Sequence, residues 1–180
     1  MKIIKTEIEG LVIIKPTVFE DSRGYFFESF REDEFKELNF NPIQDNESFN
    51  YNKGTLRGLH LQQPPFAQAK LIRCIKGEII DVAVDLRPNS PTFGKHYKII
   101  LNENNKFSFF IPKGFAHGYI TLSDETIVFY KVDAPYNKSA ELTIKWDDEK
   151  LGINWDIVPL IISEKDQLGI TYWDYKKIIE

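Results

Sequence analysis

Glu78-Ile-Ile-Asp-Val-Ala-Val-Asp-Leu86 is the stretch whose pattern decides the fold class. Read with a period of two, Ile80, Val82, Val84 and Leu86 share one face, while Asp81 and Asp85 share the other with Ile79 and Ala83. Such alternation marks a strand with a buried face. Further short runs rich in Ile, Val, Phe and Tyr lie on both sides: Leu11–Lys15, Tyr25–Phe30, Thr55–Leu61, Lys70–Ile75, Tyr97–Leu101, Phe107–Ile111, Tyr119–Leu122 and Ile127–Val132. Turn-forming residues separate them at Lys76-Gly77, Pro88-Asn-Ser-Pro91, Glu103-Asn-Asn105 and Lys113-Gly114. The pattern predicts an all-β protein, and closing its strands into a double-sheet barrel removes most open edges and leaves a mouth for a ligand. Two short peripheral helices are expected. One is an amphipathic surface helix over Arg31-Glu-Asp-Glu-Phe-Lys-Glu-Leu38, and the other begins at Ser163.

A chain of 180 residues is expected to form one domain, 1–180, with its own core. Hydrophobic residues make up 42% and charged residues 28%, which excludes a disordered chain. The net charge is -4, with Lys and Arg scattered, so neither nucleic acid nor an anionic membrane is expected as a partner. Cys74 is the only cysteine and sits in an apolar run, where it reads as a small buried hydrophobe. Acidic residues interrupt the N-terminal stretch where a secretion signal would need an apolar one, and the expected compartment is the cytoplasm.

Three histidines are candidates for chemistry: His60, His96 and His117. His96, among polar neighbours, reads as structural. The other two lie in segments that resemble the paired motifs of the cupin superfamily of jelly-roll barrels. Gly54 stands six residues before His60, and Ile111-Pro-Lys-Gly-Phe-Ala-His117 supplies the second motif, Pro-x-Gly-x-x-His. The resemblance implies a double-stranded β-helix, or jelly roll. Where metal-binding cupins place a second His and a Glu, this chain has Gln62 and Lys70. A lysine ammonium has no lone pair to donate and repels a cation, so no metal is expected. Alternation puts Lys70 on the face of Ile72 and Cys74, pointing into the barrel, unless it snorkels out along an edge strand. A buried cation of this kind suits negative charge that develops during reaction, such as an enolate oxygen.

Ten strings in sequence order resemble the dTDP-4-dehydrorhamnose 3,5-epimerases of deoxysugar biosynthesis. They are Asp21-Ser-Arg-Gly-Tyr-Phe-Phe-Glu28, Gln44-Asp-Asn46, Gly54-Thr-Leu-Arg-Gly-Leu-His-Leu-Gln62, Lys70-Leu-Ile-Arg73, Asp81-Val-Ala-Val-Asp-Leu-Arg87, Ser90-Pro-Thr-Phe-Gly94, Ile111-Pro-Lys-Gly-Phe-Ala-His-Gly118, Tyr130-Lys131, Trp146-Asp-Asp148 and Ser163-Glu-Lys-Asp166. The resemblance implies a substrate that is a nucleotide-linked 4-keto-6-deoxyhexose, with C3 and C5 hydrogens acidified by the ketone. Inverting those carbons requires a base on one face, an acid on the other and a group that stabilises the enolate between them. No cofactor is needed.

By the same resemblance His60 is the base, Asp166 orients it, Lys70 stabilises the enolate and Tyr130 is the acid. Read alone, Ser163-Glu-Lys-Asp166 is equally a helix capping box, in which Asp166 serves only a helix end. Substrate contacts carried over are Arg57 and His117 near the sugar or diphosphate, with Gln44, Asn46, Tyr136, Glu141 and Lys165. Arg23 and Glu28 match positions that grip the nucleotide, in a segment that in the family reaches into the neighbouring subunit's site, which implies a homodimer. Pro135 stands where many members carry a Tyr. The readings that stay open beside a 3,5-epimerase are an epimerase of C3 alone or C5 alone, and a barrel that binds a nucleotide sugar without acting on it.

Overall fold

The computed structural model describes residues 1–179. In chain order its strands are β1 (Lys2–Lys5), β2 (Val12–Lys15), β3 (Phe19–Asp21), β4 (Gly24–Phe26), β5 (Gln44–Asn50), β6 (Thr55–Gln62), β7 (Lys70–Lys76), β8 (Glu78–Asp85), β9 (His96–Asn102), β10 (Ser108–Ile111), β11 (Phe115–Thr121), β12 (Thr126–Val132), β13 (Glu141–Thr143) and β14 (Ile161–Ile162). Two short α-helices follow, α1 (Glu164–Gln167) and α2 (Tyr172–Ile179). One sheet has the order β1-β2-β10-β7-β12-β5, and the other β13-β6-β11-β8-β9 with β14 joined to β6. The antiparallel pairs β8–β9, β7–β10, β6–β11 and β5–β12 nest inside one another, as in a long hairpin rolled up between two sheets. This is the expected jelly roll.

Apolar side chains fill three layers. Between the sheets lie Ile72 and Cys74 from β7, Ile79 and Ala83 from β8, Phe109 from β10 and Val128 from β12. On the far side of the second sheet, Ile80, Val82 and Val84 pack with Leu151, Trp155 and Tyr175 from the C-terminal segment. On the far side of the first sheet, Val12, Ile14, Leu71 and Phe110 are covered by Phe35 and Phe40. Strand β8 is therefore buried on both faces, and the two faces read from its alternation separate into two different cores. Its Asp85 is fully buried and satisfied by Arg87, Ser90 and Thr92, whose hydrogen bonds outweigh burial and hold its pKa down to about 2.

Some expected elements differ. The helix anticipated over Arg31–Leu38 is a 3-10 helix, Glu32–Leu38, with no side-chain cap at Arg31 and a left-handed stop at Asn39 (φ 51°). Phe35 and Leu38 are three apart, which is the repeat of a 3-10 helix, and both pack onto the outer core. The strand expected over Tyr25–Phe30 ends at Phe26. Beyond it, Phe27 covers the Arg73 guanidinium with 4.5 Å to the ring centroid, and Phe30 packs on Phe35 at 4.9 Å, so the chain leaves the hairpin to pave the sheet. The expected helix after Ser163 is α1, with Ser163 as its N-cap. No helix among the described residues is long and apolar enough to cross a membrane.

Candidate active site

A cavity of about 420 Å³ opens between the two sheets, lined by Arg57 and His60 of β6, Lys70 of β7, His117 and Tyr119 of β11, Tyr130 of β12, and Lys165 and Asp166 of α1. A second, of about 180 Å³, shares His60, Lys70 and Tyr130 with it and adds Gln44, Asn46, Tyr136 and Glu141. The two are lobes of one cleft that meet at those three shared residues. His60 lies on one sheet, and Lys70 and Tyr130 lie on the sheet that faces it.

In a regular strand Arg57 and His60, three apart, would point to opposite faces. Both line the cleft because β6 is irregular at Gly58, where the register with β11 shifts between His117 and Tyr119. Gly58 has φ +126°, and a Cβ there would lie 2.5 Å from Gly118 Cα and 2.8 Å from the His117 carbonyl oxygen. Only glycine permits this approach of β6 to β11, which sets His60 directly opposite His117.

The Gly58 N–H donates to Asp166 Oδ2 at 3.3 Å, and His60 donates Nε2–H to Asp166 Oδ1 at 2.6 Å. Asp166 is 3% exposed. Burial pushes its carboxyl up, but the hydrogen bonds from His60 and Gly58 outweigh burial and hold the pKa below the usual carboxylate range. A carboxylate accepting from Nε2 fixes the tautomer and leaves the imidazole's lone pair on Nδ1. The capping reading is half correct: the Asp166 N–H donates to Ser163 Oγ at 3.2 Å, while the carboxylate reaches away from the helix end to the imidazole.

Lys70 lines both lobes on the face shared with Ile72 and Cys74, so it does not snorkel outward. Burial lowers its pKa to about 8, against the opposing pull of Asp81 and Glu141. Tyr130 is pushed up by burial, with Arg57 acting in the other direction, so its hydroxyl keeps its proton. Gln62 lines the second lobe with its amide held by backbone: its Nε2 donates to the Phe66 carbonyl at 2.6 Å, and its Oε1 accepts from the Asn137 N–H at 2.6 Å. At the outer rim, Glu141 accepts from Tyr136 at 2.9 Å and pairs with Lys165 at 2.6 Å, tying the loop before β13 to α1.

Arg23 and Glu28 are the two anticipated contacts that line neither lobe. Arg23 pairs with Asp21 at 2.6 Å on the exposed β3–β4 hairpin, and Glu28 pairs with Arg31 at 3.3 Å. Conversely, Ser48 and Tyr119 line the larger lobe, and the buried Asp81 and Asn50 stand behind its His117 and Arg57; none of the four was anticipated. Both carboxylate oxygens of the fully buried Asp81 lie 3.0 Å from His117 Nε2, and burial pushes the Asp81 pKa up and the His117 pKa down. Its signal was present, because an acid on the inward face of an apolar strand requires a buried partner. Among the described residues, no three His, Cys, Asp or Glu side chains converge as a metal cage.

A model of the dTDP-4-dehydrorhamnose 3,5-epimerases matches residues 5–173. The chain belongs to that family. It is 46% identical over 177 residues to the dTDP-4-dehydrorhamnose 3,5-epimerase of Shigella flexneri, covering 97% of each chain. The crystal structure of the same enzyme from Elizabethkingia anophelis superposes with a TM-score of 0.92 at 49% identity, again covering 97% of each. That of the 3,5-epimerase from Legionella pneumophila, in complex with dTDP-4-keto-L-rhamnose, gives a TM-score of 0.90 at 41% identity, covering 94% of this chain and 92% of the other.

The close approach of β6 to β11 depends on the absence of a Cβ at Gly58. Gly24 shares the φ of Gly58, at +127°, but a Cβ there meets nothing within 4 Å. Gly58→Ala is therefore expected to be about 1–3 kcal/mol more destabilising than Gly24→Ala, read from paired urea melts; equal midpoints would show that β6 and β11 do not require the contact.

Proposed function

We propose that this chain acts as its family does, inverting C3 and C5 of dTDP-4-dehydro-6-deoxy-D-glucose to give dTDP-4-dehydro-L-rhamnose, within one domain and in the cytoplasm. The observation that carries the reading is the pairing of a carboxylate-held imidazole on one sheet with a protonated phenol and a buried ammonium on the sheet facing it. Nδ1 of His60 removes the proton next to the ketone, and Asp166 stabilises the imidazolium that forms. Electron density moves to the C4 oxygen, where the Lys70 ammonium stabilises the enolate. Tyr130 then delivers a proton to the opposite face of the carbon, which completes the inversion. The same set serves both carbons in turn.

Arg57 and His117 hold the sugar and diphosphate, and the second lobe, with Gln44, Asn46, Tyr136 and Glu141, takes the nucleoside, with Lys165 a further contact from the first lobe. Arg57 suits phosphate oxygens because its guanidinium offers paired donors. Arg23 and Glu28 grip the nucleotide bound in the site of a second copy of the chain in a homodimer. Their hairpin carries Phe19, Tyr25 and Phe26 at 62%, 53% and 68% exposure, aromatic surface that a partner would bury.

Incubation with the 4-keto sugar nucleotide in deuterated water is expected to place label at both C3 and C5 by NMR; label at one carbon would reassign the chain to the single-carbon epimerases, and none would leave a binding protein. His60→Ala should abolish exchange at both positions and leave dTDP affinity within about threefold. Tyr130→Phe should slow net inversion at least tenfold more than exchange, on the order expected for loss of a general acid; equal losses would remove Tyr130 from the acid's role. Because Lys70 works as a cation and its pKa lies at about 8, kcat/KM is expected to fall as pH rises through that value. Lys70→Arg, slower throughout, should lose that decline. Light scattering should give twice the 21.0 kDa of one chain, and a single-chain mass would overturn the dimer.

A further inference from the structure

Arg57 has its guanidinium in the larger lobe, and among the described residues no carboxylate pairs with it. Its Nε donates instead to Asn50 Oδ1 at 2.9 Å. Asn50 is only 2% exposed, and its Nδ2 donates to the Thr126 carbonyl at 3.2 Å. The orientation of the amide is therefore fixed from both ends: nitrogen towards a carbonyl, oxygen towards a guanidinium N–H. A second contact comes from Tyr119, whose hydroxyl lies 3.4 Å from Asn50 and 2.8 Å from Ser48 Oγ. We propose that Asn50 is a positioning residue that holds Arg57 aimed into the cleft, with its charge unneutralised, for the substrate's diphosphate.

The chemistry selects an amide at this position. A carboxylate would accept from Nε equally well, but it would cancel the charge of Arg57 and has no hydrogen to give the Thr126 carbonyl. A hydroxyl on a serine stem is shorter and would not span the two partners. The neutral amide takes up Nε and leaves both Nη groups, the edge that forms two parallel bonds to a phosphate. With the side chain already fixed, less rotamer freedom is lost when the anion binds. Arg57 also favours the ionised form of both Tyr119 and Tyr130, so its placement bears on the proposed acid as well.

The inference rests on Arg57 contacting the diphosphate, and the test separates the two claims. Affinities for dTDP and for thymidine, which lacks phosphate, would be measured by NMR titration on wild type, Arg57→Ala, Asn50→Asp and Asn50→Ala, each checked by thermal melting. Arg57→Ala is expected to weaken dTDP about tenfold or more and to leave thymidine unchanged. If dTDP affinity does not change, the role of Arg57 and the inference fall together. Asn50→Asp should also weaken dTDP about tenfold with thymidine unchanged, because its carboxylate competes with phosphate for Arg57. Asn50→Ala, which frees Arg57 without neutralising it, should weaken dTDP about threefold. The closer isostere is thus expected to be the worse binder, which a purely structural role does not produce. With substrate, Asn50→Asp should raise KM about tenfold and change kcat less than threefold. Arg57→Ala weakening dTDP while both Asn50 variants bind it normally would overturn the positioning role alone, as would Asn50 variants that lose dTDP and thymidine affinity in parallel. Should Asn50→Asp fail to fold, Asn50→Ala carries the same comparison of dTDP with thymidine.

Discussion

Asp166 sits where water scarcely reaches it, and a carboxylate in such a place is stable only if the protein supplies its hydrogen bonds. The donors are an imidazole from the middle of β6 and a backbone N–H two residues earlier on the same strand. To meet both, β6 must distort at Gly58, β11 must come close enough to touch it, and α1 must be delivered by β14 to the side of β6. One hydrogen-bonded carboxylate thus links the C-terminal segment, the irregular strand and the neighbouring histidine strand. The same bonds set the tautomer of His60.

Around this pair the cleft keeps its cations and acids in local balance. Lys70 faces Asp81 and Glu141, and Lys165 is neutralised by Glu141 at the rim. His117 is backed by Asp81. Arg57 is held by an amide rather than a carboxylate, so its charge, like that of Lys70, is left for a ligand. A cleft so arranged is suited to an anionic substrate whose reacting end turns anionic again during the reaction.

The sequence made the fold legible where a strand is apolar on at least one face. Strands β6 to β12 are all of that kind, and the inward direction of Lys70 and Tyr130 followed from their apolar neighbours at i+2 and i-2. Strand β5 was not legible. Gln44, Asn46, Ser48 and Asn50 face inward and Asp45, Glu47 and Phe49 outward, so its alternation is real in burial but nearly invisible in hydrophobicity. The cause is functional: this strand faces a cleft rather than a core. Strands β1, β3, β13 and β14 are short or peripheral and carry too little pattern to separate from loops. Among site residues, those with a distinctive chemical type in a recognisable string were anticipated. Asn50 and Tyr119 were not, because an amide and a phenol acquire their roles only from what packs beside them.

The nested strand pairing bears on how the protein comes to be folded. The hairpin of β8 and β9 can close early over a short loop, whereas β5 meets β12 only after the whole roll has wound up, and His60 and Asp166 are 106 residues apart. Contacts of such long range place this chain among slow-folding topologies, in which loop entropy is lost before the pairing that repays it. The cleft draws on the first and last strands of the roll and on the segment that follows it. The site is therefore complete only when the whole roll and the segment that follows it are in place.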